Sequence, residues 1–304
     1  MKVFVTGASG FIGRATCKEL LARGHKVYGL ARSDKSIELL KKLGVEPVSG
    51  DLDDIETLKK NAIESDGVIH VAYKHDFLVV KDPAESQKLL QDAVDSDIKV
   101  IQSICEALEG SNKPFVGVSG FGYLHGVEND EFSEPQRGSG PFARQAGIDV
   151  LLSYADKGVR SSVVRIPPIT HGEEDMGFFP MIGKAAQGKG AVMKLSDGKN
   201  HWITVEKNDL AQLICLSLEK GKPGATYHAF QETLTTNEIY QYLSELLNLP
   251  IEETPVDEGM KYLGFIAPFL TMDLLASCEF TKKELGWKPT GPSLAEDARA
   301  YYFK

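Results

Sequence analysis

The sequence predicts an α/β fold in which a doubly wound parallel sheet is followed by a smaller C-terminal lobe. Two observations support this prediction. An apolar run at residues 2–5 leads directly into the glycine-rich segment Thr6-Gly7-Ala8-Ser9-Gly10-Phe11-Ile12-Gly13. Strand and helix patterns then alternate as far as Pro167-Pro168, where the pattern loosens into short elements. Such alternation is typical of a parallel sheet with helices on both faces.

The first strand, the glycine-rich turn and a helix predicted from Phe11 to Arg23 form a dinucleotide-binding unit. In such a unit, backbone N–H groups and the positive end of the helix approach a pyrophosphate. A side chain at Gly7 or Gly10 would block that approach, and one at Gly13 would hold the helix and strand apart. The residues predicted to contact the dinucleotide are Gly7, Ser9, Gly10, Phe11, Ile12 and Gly13. A chance loop is the alternative, because glycine spacing alone is a weak signal.

The next strands favour the binding unit and predict which nucleotide it holds. A second strand runs from Lys26 to Ala31, and a third begins near Pro47. NAD-binding units carry a carboxylate at the end of the second strand, whereas a ribose 2′-phosphate requires a cation there. This strand is followed instead by Arg32 and Ser33, a guanidinium fork and a hydroxyl, so we expect NADP(H). The alternative is a solvated Arg32 beside Asp34 as the cap of the next helix.

The remaining elements follow from apolar runs and turn residues. A fourth strand is predicted at residues 68–72, a helix at 83–108, a fifth strand at 115–118, and a helix ending at Lys157 before the sixth strand at 161–166. Further on, Thr235 and Glu238 form a capping box that opens a helix to Leu247. We expect a Rossmann-type NADP-binding domain at residues 1–166. Residues 167–304 are expected to form a smaller substrate-binding lobe, with some segments returning to the sheet.

Composition and charge limit the class of protein. The chain has 304 residues, of which 42% are hydrophobic, enough for one large core or a core with a smaller lobe. Its formal net charge of −9 argues against nucleic acid and anionic membranes as partners, and no apolar run reaches membrane-spanning length. No metal site is predicted. Four scattered cysteines are expected to be reduced core residues of a cytoplasmic protein: Cys17, Cys105, Cys215 and Cys278.

Motifs spread over nearly the whole chain occur together in one family. They are Thr6-Gly7-x-x-Gly10-x-x-Gly13, Gly50-Asp51-Leu52, His70-Val71-Ala72, Arg165-x-Pro167-Pro168 with His171-Gly172, Asn208-Asp209, and Lys283-Glu284-Leu285-Gly286-Trp287-Lys288-Pro289. In these residues the chain resembles the extended or atypical short-chain dehydrogenase/reductases. The resemblance implies that Asp51 and Leu52 flank the adenine, Ala72 and Tyr73 the cofactor ribose, and Pro167 the nicotinamide amide. From the residues alone, Asp51 has the alternative role of a turn residue. His70 is favoured as a satisfied core histidine.

The catalytic signature of that family is incomplete in this chain. The resemblance implies a Tyr-x-x-x-Lys pair on the helix before the sixth strand, in which the tyrosine exchanges the proton. Counting back from Gly158 and Arg165 places the lysine position on Arg144 and the tyrosine position on Gly140. A register two residues later gives Phe142 and Ala146, so the tyrosine is absent in either register. We expect Arg144 to anchor ribose hydroxyls, because the pKa of a guanidinium is too high for proton shuttling.

Other hydroxyl and aromatic residues are candidates for the missing chemistry. Ser119 ends the fifth strand and either touches the substrate or bonds to backbone, while Tyr123 is a candidate replacement proton donor. Phe121 occupies the position that usually carries the family's catalytic serine. Together with His171 and Trp202, it is expected to line a small, fairly apolar substrate pocket.

The sequence therefore predicts an NADPH-dependent reductase of a small aldehyde, ketone or lactol, acting as a monomer or homodimer. The resemblance to fungal members that lack the tyrosine implies detoxification of reactive carbonyl compounds of the patulin type. Two alternatives stay open. One is a non-catalytic NADP(H)-binding sensor or regulator, which the missing tyrosine supports. The other is a nucleotide-sugar epimerase or dehydratase, disfavoured because no dense basic site for a diphosphate is evident.

Overall fold

The computed structural model describes residues 1–78, 80, 82–121, 124, 129–138 and 140–304. The chain divides into two compact units. The first comprises Met1–Ser119, Pro135–Arg165 and Ala211–Tyr227, and the second comprises Gly120–Glu134, Ile166–Leu210 and His228–Lys304. Each unit is therefore built from three separate stretches of chain.

Strands and helices alternate through the first 166 residues. In chain order they are β1 Lys2–Thr6, α1 Phe11–Ala22, β2 Lys26–Ala31, α2 Asp34–Lys42, β3 Glu46–Ser49, α3 Ile55–Glu64, β4 Gly67–His70, α4 Pro83–Leu108, β5 Pro114–Gly120, α5 Gln145–Ser153 and β6 Arg160–Ile166. Short 3-10 helices lie at Asp76–Leu78, Gly140–Arg144 and Tyr154–Lys157. The predicted strand β2 and helix α4 have the expected bounds, whereas β4 ends at His70, two residues earlier than predicted.

The remaining elements are shorter. They are β7 Ile169–His171, α6 Phe178–Lys189, β8 Val192–Lys194, β9 His201–Glu206, α7 Lys207–Lys220, β10 Ala225–His228, β11 Glu232–Thr235, α8 Thr236–Leu247, β12 Ile251–Glu253, α9 Val256–Leu263, α10 Ile266–Phe269, α11 Glu279–Leu285 and α12 Leu294–Tyr301. The predicted capping box is present at the start of α8, with the Thr235 hydroxyl accepting from the Glu238 N–H and the Glu238 carboxylate accepting from the Thr235 N–H.

The first unit contains a seven-stranded parallel sheet, which confirms the predicted fold class. The strand order is β10-β6-β5-β4-β1-β2-β3. Strand β1 pairs in parallel with β2 on one side and with β4 on the other. Strands β2 and β3 thus extend the sheet on one side of β1, and β4 and later strands extend it on the other side. In open sheets of this kind, ligands bind at the carboxyl ends of the strands where the strand order switches sides. In this sheet, that position lies between Gly7, after β1, and Ala72, after β4.

Apolar residues from strands and helices fill the core of the first unit. Phe4, Val68 and Phe115 come from neighbouring strands, and Ile101 and Ile104 come from one face of α4; all are 1% exposed or less. All four cysteines are free and buried, as expected. Burial raises the pKa of Cys17 and of Cys105 to about 12. Both thiols are therefore protonated and unreactive in the folded protein.

The second unit has two small sheets and its own core. One sheet has the order β11-β9-β7, with β9 antiparallel to β11 and parallel to β7, and the other pairs β12 with β8. The core packs around Phe179, Trp202 and Tyr240, each fully buried. Among the described residues, none of the helices combines the length and apolar character that crossing a membrane requires.

Candidate functional site

The glycine-rich turn between β1 and α1 is folded tightly against the end of β4. Gly7 has φ +72°, and a Cβ there would lie 2.7 Å from the backbone nitrogen of Ala72. A Cβ at Gly13 would overlap the carbonyl of Gly7, which confirms that Gly13 allows α1 to approach the turn. The structure gives a different reason for Gly7 than the one expected from sequence, because protein backbone rather than a ligand excludes a side chain there. At Gly10, a Cβ would meet only the Gly7 carbonyl oxygen among the described residues, at 3.2 Å.

Helix α1 begins directly after the glycine turn. Gly10 is the N-cap, and among the described residues the cap position makes no side-chain hydrogen bond. By contrast, side chains of Ser33, Asp54 and Asp82 cap α2, α3 and α4. Gly10 is exposed, whereas Ser9, Phe11 and Ile12 are partly buried. An uncapped helix start behind an open glycine fits the pyrophosphate of a dinucleotide.

The residues after β2 lie at the surface. Arg32 is exposed and, within the described part of the chain, makes no hydrogen bond or ion pair. The Ser33 hydroxyl accepts from the N–H of Ser36 at 3.3 Å, so Ser33 rather than Asp34 is the cap of α2. Within the residues that the structure describes, the guanidinium of Arg32 is therefore exposed and unpaired at the end of β2.

The residues after β3 form a turn. One carboxylate oxygen of Asp51 accepts from the backbone N–H groups of Asp53 and Asp54, at 2.8 and 3.2 Å. Leu52 is partly buried and packs against the core of the first unit. Both carboxylate oxygens of Asp53 accept from Lys74, at 2.7 and 2.8 Å. Asp51 therefore has the turn role that the sequence left open, and its contact with adenine stays a prediction.

A chain of buried polar side chains starts beneath the glycine turn. The Thr6 hydroxyl and Nδ1 of His70 are 2.6 Å apart, and Nε2 of His70 lies 2.9 Å from Oδ1 of Asp97. All three residues are at most 3% exposed. Both ring nitrogens of His70 thus have partners, which agrees with the interpretation favoured from sequence. Burial acts to raise the pKa of Asp97, but the nearby Arg144 charge and the hydrogen bond from His70 outweigh it and hold that pKa below the ordinary value.

Arg144 extends this chain toward the end of β4. It lies in the 3-10 helix Gly140–Arg144 and places its Nε 3.4 Å from Oδ2 of Asp97. Its guanidinium carbon lies 4.1 Å from the centre of the Tyr73 ring. Tyr73 in turn makes an edge-to-face contact with His75. The predicted ribose contacts Arg144 and Tyr73 are therefore in direct contact with each other, at the carboxyl end of the sheet.

The sequence analysis did not identify Asp97, although a signal was present. On α4, the buried apolar stripe contains Val94, Ile101 and Ile104, and Asp97 falls within it at helical spacing. A carboxylate in the apolar stripe of a helix is costly unless it is paired. Its partners lie 27 and 47 residues away along the chain, so only the fold shows them.

Ser119 is buried in β5 and is 3% exposed. Its hydroxyl has no hydrogen-bond partner among the described residues. The alternative role offered from sequence, a bond to backbone, is not found within the described residues. Leaving a buried hydroxyl unpaired costs about 1 to 3 kcal/mol, which a bound ligand would recover. The other candidate hydroxyl, that of Tyr123, lies outside the described residues.

The predicted pocket residues belong to the second unit, where they have packing partners. Trp202 is fully buried and donates its indole N–H to the carbonyl of Phe269 at 3.2 Å. Phe121 is 1% exposed and meets the ring of His228 edge to face, with the centroids 4.6 Å apart. Pro167 is also buried, between β6 and β7. Packing within the unit accounts for Trp202 and Phe121, and a role against substrate stays a prediction for both.

His171 occupies a buried polar cluster of the second unit. Its Nδ1 lies 2.7 Å from Oδ2 of Asp297 on α12, while its Nε2 has no partner among the described residues. On the loop that follows β7, Asp175 accepts from the hydroxyl of Tyr302 at 2.7 Å. Burial raises the pKa of Asp175, and the hydrogen bonds from Gly177 and Tyr302 only partly oppose this. His171 is thus a fully buried residue rather than a surface histidine.

The seven-stranded parallel sheet and the glycine turn define a dinucleotide-binding protein of the Rossmann class. The chain belongs to the NAD dependent epimerase/dehydratase family, whose model matches residues 3–231. It is an oxidoreductase-type member of that family, and the nucleotide of the family is a nicotinamide dinucleotide.

Individual relatives agree with this assignment. The chain is 40% identical to an uncharacterized protein of Saccharomyces cerevisiae over 99% of both chains. It is 28% identical to a sterol-4-alpha-carboxylate 3-dehydrogenase (decarboxylating) of Dictyostelium discoideum, over 79% of this chain and 73% of that one. Among solved structures, a dTDP-glucose 4,6-dehydratase of Streptomyces venezuelae with bound NAD is similar, with a TM-score of 0.76. That match has 20% identity over 98% of this chain and 96% of the other, so it shows the fold alone.

Proposed function

We propose that the protein is an NADPH-dependent reductase of a small aldehyde, ketone or lactol. The observation that carries the proposal is the buried hydroxyl of Ser119, which has no partner among the described residues and lies toward the carboxyl end of β5. A carbonyl oxygen or a water is the kind of group that would form a hydrogen bond with such a hydroxyl. Family membership and a relative named as a dehydrogenase support oxidoreductase chemistry.

The phosphate preference rests on the end of β2. Arg32 rather than a carboxylate comes directly after Ala31, and it presents an exposed guanidinium with no partner among the described residues. A guanidinium binds phosphate oxygens with two parallel hydrogen bonds, whereas a ribose 2′-hydroxyl is better matched by a carboxylate. The uncapped start of α1 supplies the N–H groups for the pyrophosphate.

When bound, NADPH supplies the hydride, and the residues of this chain orient the reactants and stabilise charge. Arg144 holds the ribose hydroxyls and places positive charge near the alkoxide that develops on the substrate. Because a guanidinium stays protonated, it cannot donate the proton. Ser119 orients the carbonyl, and either its own hydroxyl or a water that it holds delivers the proton.

The substrate class follows from the same residues. A small carbonyl compound needs one oriented hydroxyl and a dry surrounding, and Ser119 is 3% exposed. Detoxification of reactive carbonyl compounds of the patulin type is the physiological role that we propose with this chemistry. We also propose that Pro167 contacts the nicotinamide amide. We place His171, whose Nε2 has no partner in the described part of the chain, in the substrate lobe.

The proposal is tested by following NADPH absorbance with a panel of aldehydes, ketones and lactols. Ser119→Ala should lower kcat and kcat/KM together by about 10 to 10³-fold, with NADPH affinity nearly unchanged, as for an interaction made in the transition state. Ser161→Ala is the matched control. Ser161 is also a buried serine with an unpaired hydroxyl among the described residues, but it lies at the amino end of β6.

Three outcomes distinguish the alternatives. Equal losses in Ser119→Ala and Ser161→Ala would indicate a general packing effect and would remove Ser119 from the mechanism. A larger loss in Tyr123→Phe than in Ser119→Ala would make Tyr123 the donor. If the wild type binds NADPH but oxidises it with no compound of the panel, the protein is a sensor of the cofactor rather than a reductase.

A further inference from the structure

The buried carboxylate of Asp97 is the centre of a network that the sequence motifs do not explain. One of its oxygens faces Nε2 of His70 at 2.9 Å, and the other faces Nε of Arg144 at 3.4 Å. The side chain of Asp97 is 3% exposed, so it does not itself reach a bound nucleotide. Asp97 therefore acts on the site only through the residues that it holds.

The histidine side of the network fixes the direction of the hydrogen bonds. An ionised Asp97 only accepts, so the Nε2 of His70 donates to it. In a neutral ring Nδ1 is then an acceptor, and the Thr6 hydroxyl, 2.6 Å away, donates to it. This arrangement satisfies one oxygen of Asp97. The other oxygen faces the guanidinium of Arg144.

The contacts of Arg144 define the plane of its guanidinium group. Arg144 meets Asp97 through Nε at one edge, while its guanidinium carbon lies 4.1 Å from the centre of the Tyr73 ring. A planar guanidinium can hold an edge contact and a stacking contact at the same time, whereas a lysine ammonium is a point charge without a plane. The contacts with Asp97 and Tyr73 thus both act on the position and the tilt of the Arg144 head group.

We infer that Asp97 is a positioning residue, which orients the guanidinium of Arg144 against Tyr73 so that the pair is preformed for the cofactor ribose. This inference rests on the proposed function, because it takes Arg144 and Tyr73 as ribose contacts. The lowered pKa of Asp97 agrees with it, since the carboxylate is ionised at neutral pH. Through the Thr6 hydroxyl, the same network reaches the last residue of β1, directly before the glycine turn.

The test is a double-mutant cycle of NADPH affinity. We expect Asp97→Asn to raise the Kd for NADPH about tenfold and Arg144→Ala to raise it at least as much. In the Arg144→Ala background, adding Asp97→Asn should change the Kd less than about threefold, because the residue that Asp97 positions is gone. Melting temperatures recorded in parallel separate affinity from stability.

Glu219→Gln is the matched control. Like Asp97, Glu219 faces one arginine and one histidine of the first unit, Arg23 at 2.8 Å and His25 at 2.9 Å. These contacts lie away from the carboxyl ends of the strands. We expect this variant to lower the melting temperature without changing the Kd for NADPH. If the loss of any ion pair in the first unit weakened NADPH binding, the Kd would rise in this variant too.

The remaining outcomes of the cycle would contradict either this inference or the proposed function. An equal loss of affinity from Asp97→Asn in both backgrounds makes Asp97 merely structural and overturns the inference. An effect of Arg144→Ala without one of Asp97→Asn overturns it as well, leaving the proposed function intact. A wild type that binds neither NADPH nor NADH overturns the proposed function itself.

Arg144→Lys keeps the inference testable if Asp97→Asn does not fold. It keeps the charge beside Asp97 but has no plane to stack on Tyr73. We expect a Kd for NADPH about tenfold above that of the wild type. Wild-type affinity in Arg144→Lys would show that the orientation of the guanidinium is unimportant and would overturn the inference.

Discussion

Replacing Arg32 by alanine tests the cofactor preference most directly. A hydrogen bond between a charged group and phosphate contributes roughly 1.5 to 3 kcal/mol, which corresponds to about 10 to 150-fold in Kd. Arg32 is exposed, so water and salt screen it, and ordering its long side chain costs up to about 2 kcal/mol. We therefore expect the lower end of the range, an increase of about tenfold in the Kd for NADPH, with the Kd for NADH unchanged.

The assay is a titration of the wild type and of Arg32→Ala with both nucleotides at two ionic strengths. Because screening weakens exposed charge contacts, the NADPH preference of the wild type should shrink as salt is added. Lys35→Ala, which removes another exposed cation just beyond Arg32, is the control and should leave the preference in place. Equal affinities of the wild type for NADH and NADPH, or an unchanged preference in Arg32→Ala, would refute the reasoning.

Three further predictions follow from the glycine turn, the buried acid and the cysteines. Gly10→Val should abolish NADPH binding in a folded protein, whereas Gly13→Ala should lower the melting temperature because its Cβ overlaps the Gly7 carbonyl; the reverse pattern in thermal melting would contradict this. The folded-state pKa of Asp175 is raised, so the wild type loses stability relative to Asp175→Asn as pH rises from about 4 toward that pKa. Urea unfolding between about pH 4 and 8 measures it, and parallel curves would disprove it. The native thiols should resist a disulfide reagent at pH 8 until the chain unfolds, and rapid labelling of Cys17 or Cys105 would be inconsistent with their burial.

Local signals explain why much of the first unit could be predicted from sequence. Strand β2 and helix α4 are bounded by turn residues and by Asp82-Pro83, a cap followed by a proline at the first helical position, so their ends are encoded within a few residues. The capping box at Thr235 and Glu238 is encoded in the same way. The cap of α2 differs from Asp34, the one that the sequence offered, because Ser33 has the extended backbone of a cap residue and its hydroxyl accepts from the Ser36 N–H.

The candidate site was predictable only in part, because its contacts join distant parts of the chain. The approach of Gly13 to the turn could be expected from glycine spacing, but the contact of Gly7 with Ala72 depends on how β4 lies beside β1. Asp97 and Arg144 are 47 residues apart, and no short pattern links them. The sequence predicts Trp202 as a pocket residue, and its burial in the core of the second unit depends on contacts that no local pattern encodes, so its role against substrate stays a prediction.

The discontinuous course of the chain has a consequence for biosynthesis. Residues 211–227 supply most of α7 and of the edge strand β10 to the first unit, after the chain has already passed into the second. Within the first unit, Arg23 pairs with Glu219, and the Cys215 thiol contacts the Thr16 carbonyl at 3.9 Å. A nascent chain that has emerged only to residue 166 therefore carries an uncovered α1 surface and an unpaired β6 edge. Unpaired edges invite aggregation, so premature termination or a pause in translation before residue 227 should leave a species that depends on chaperones.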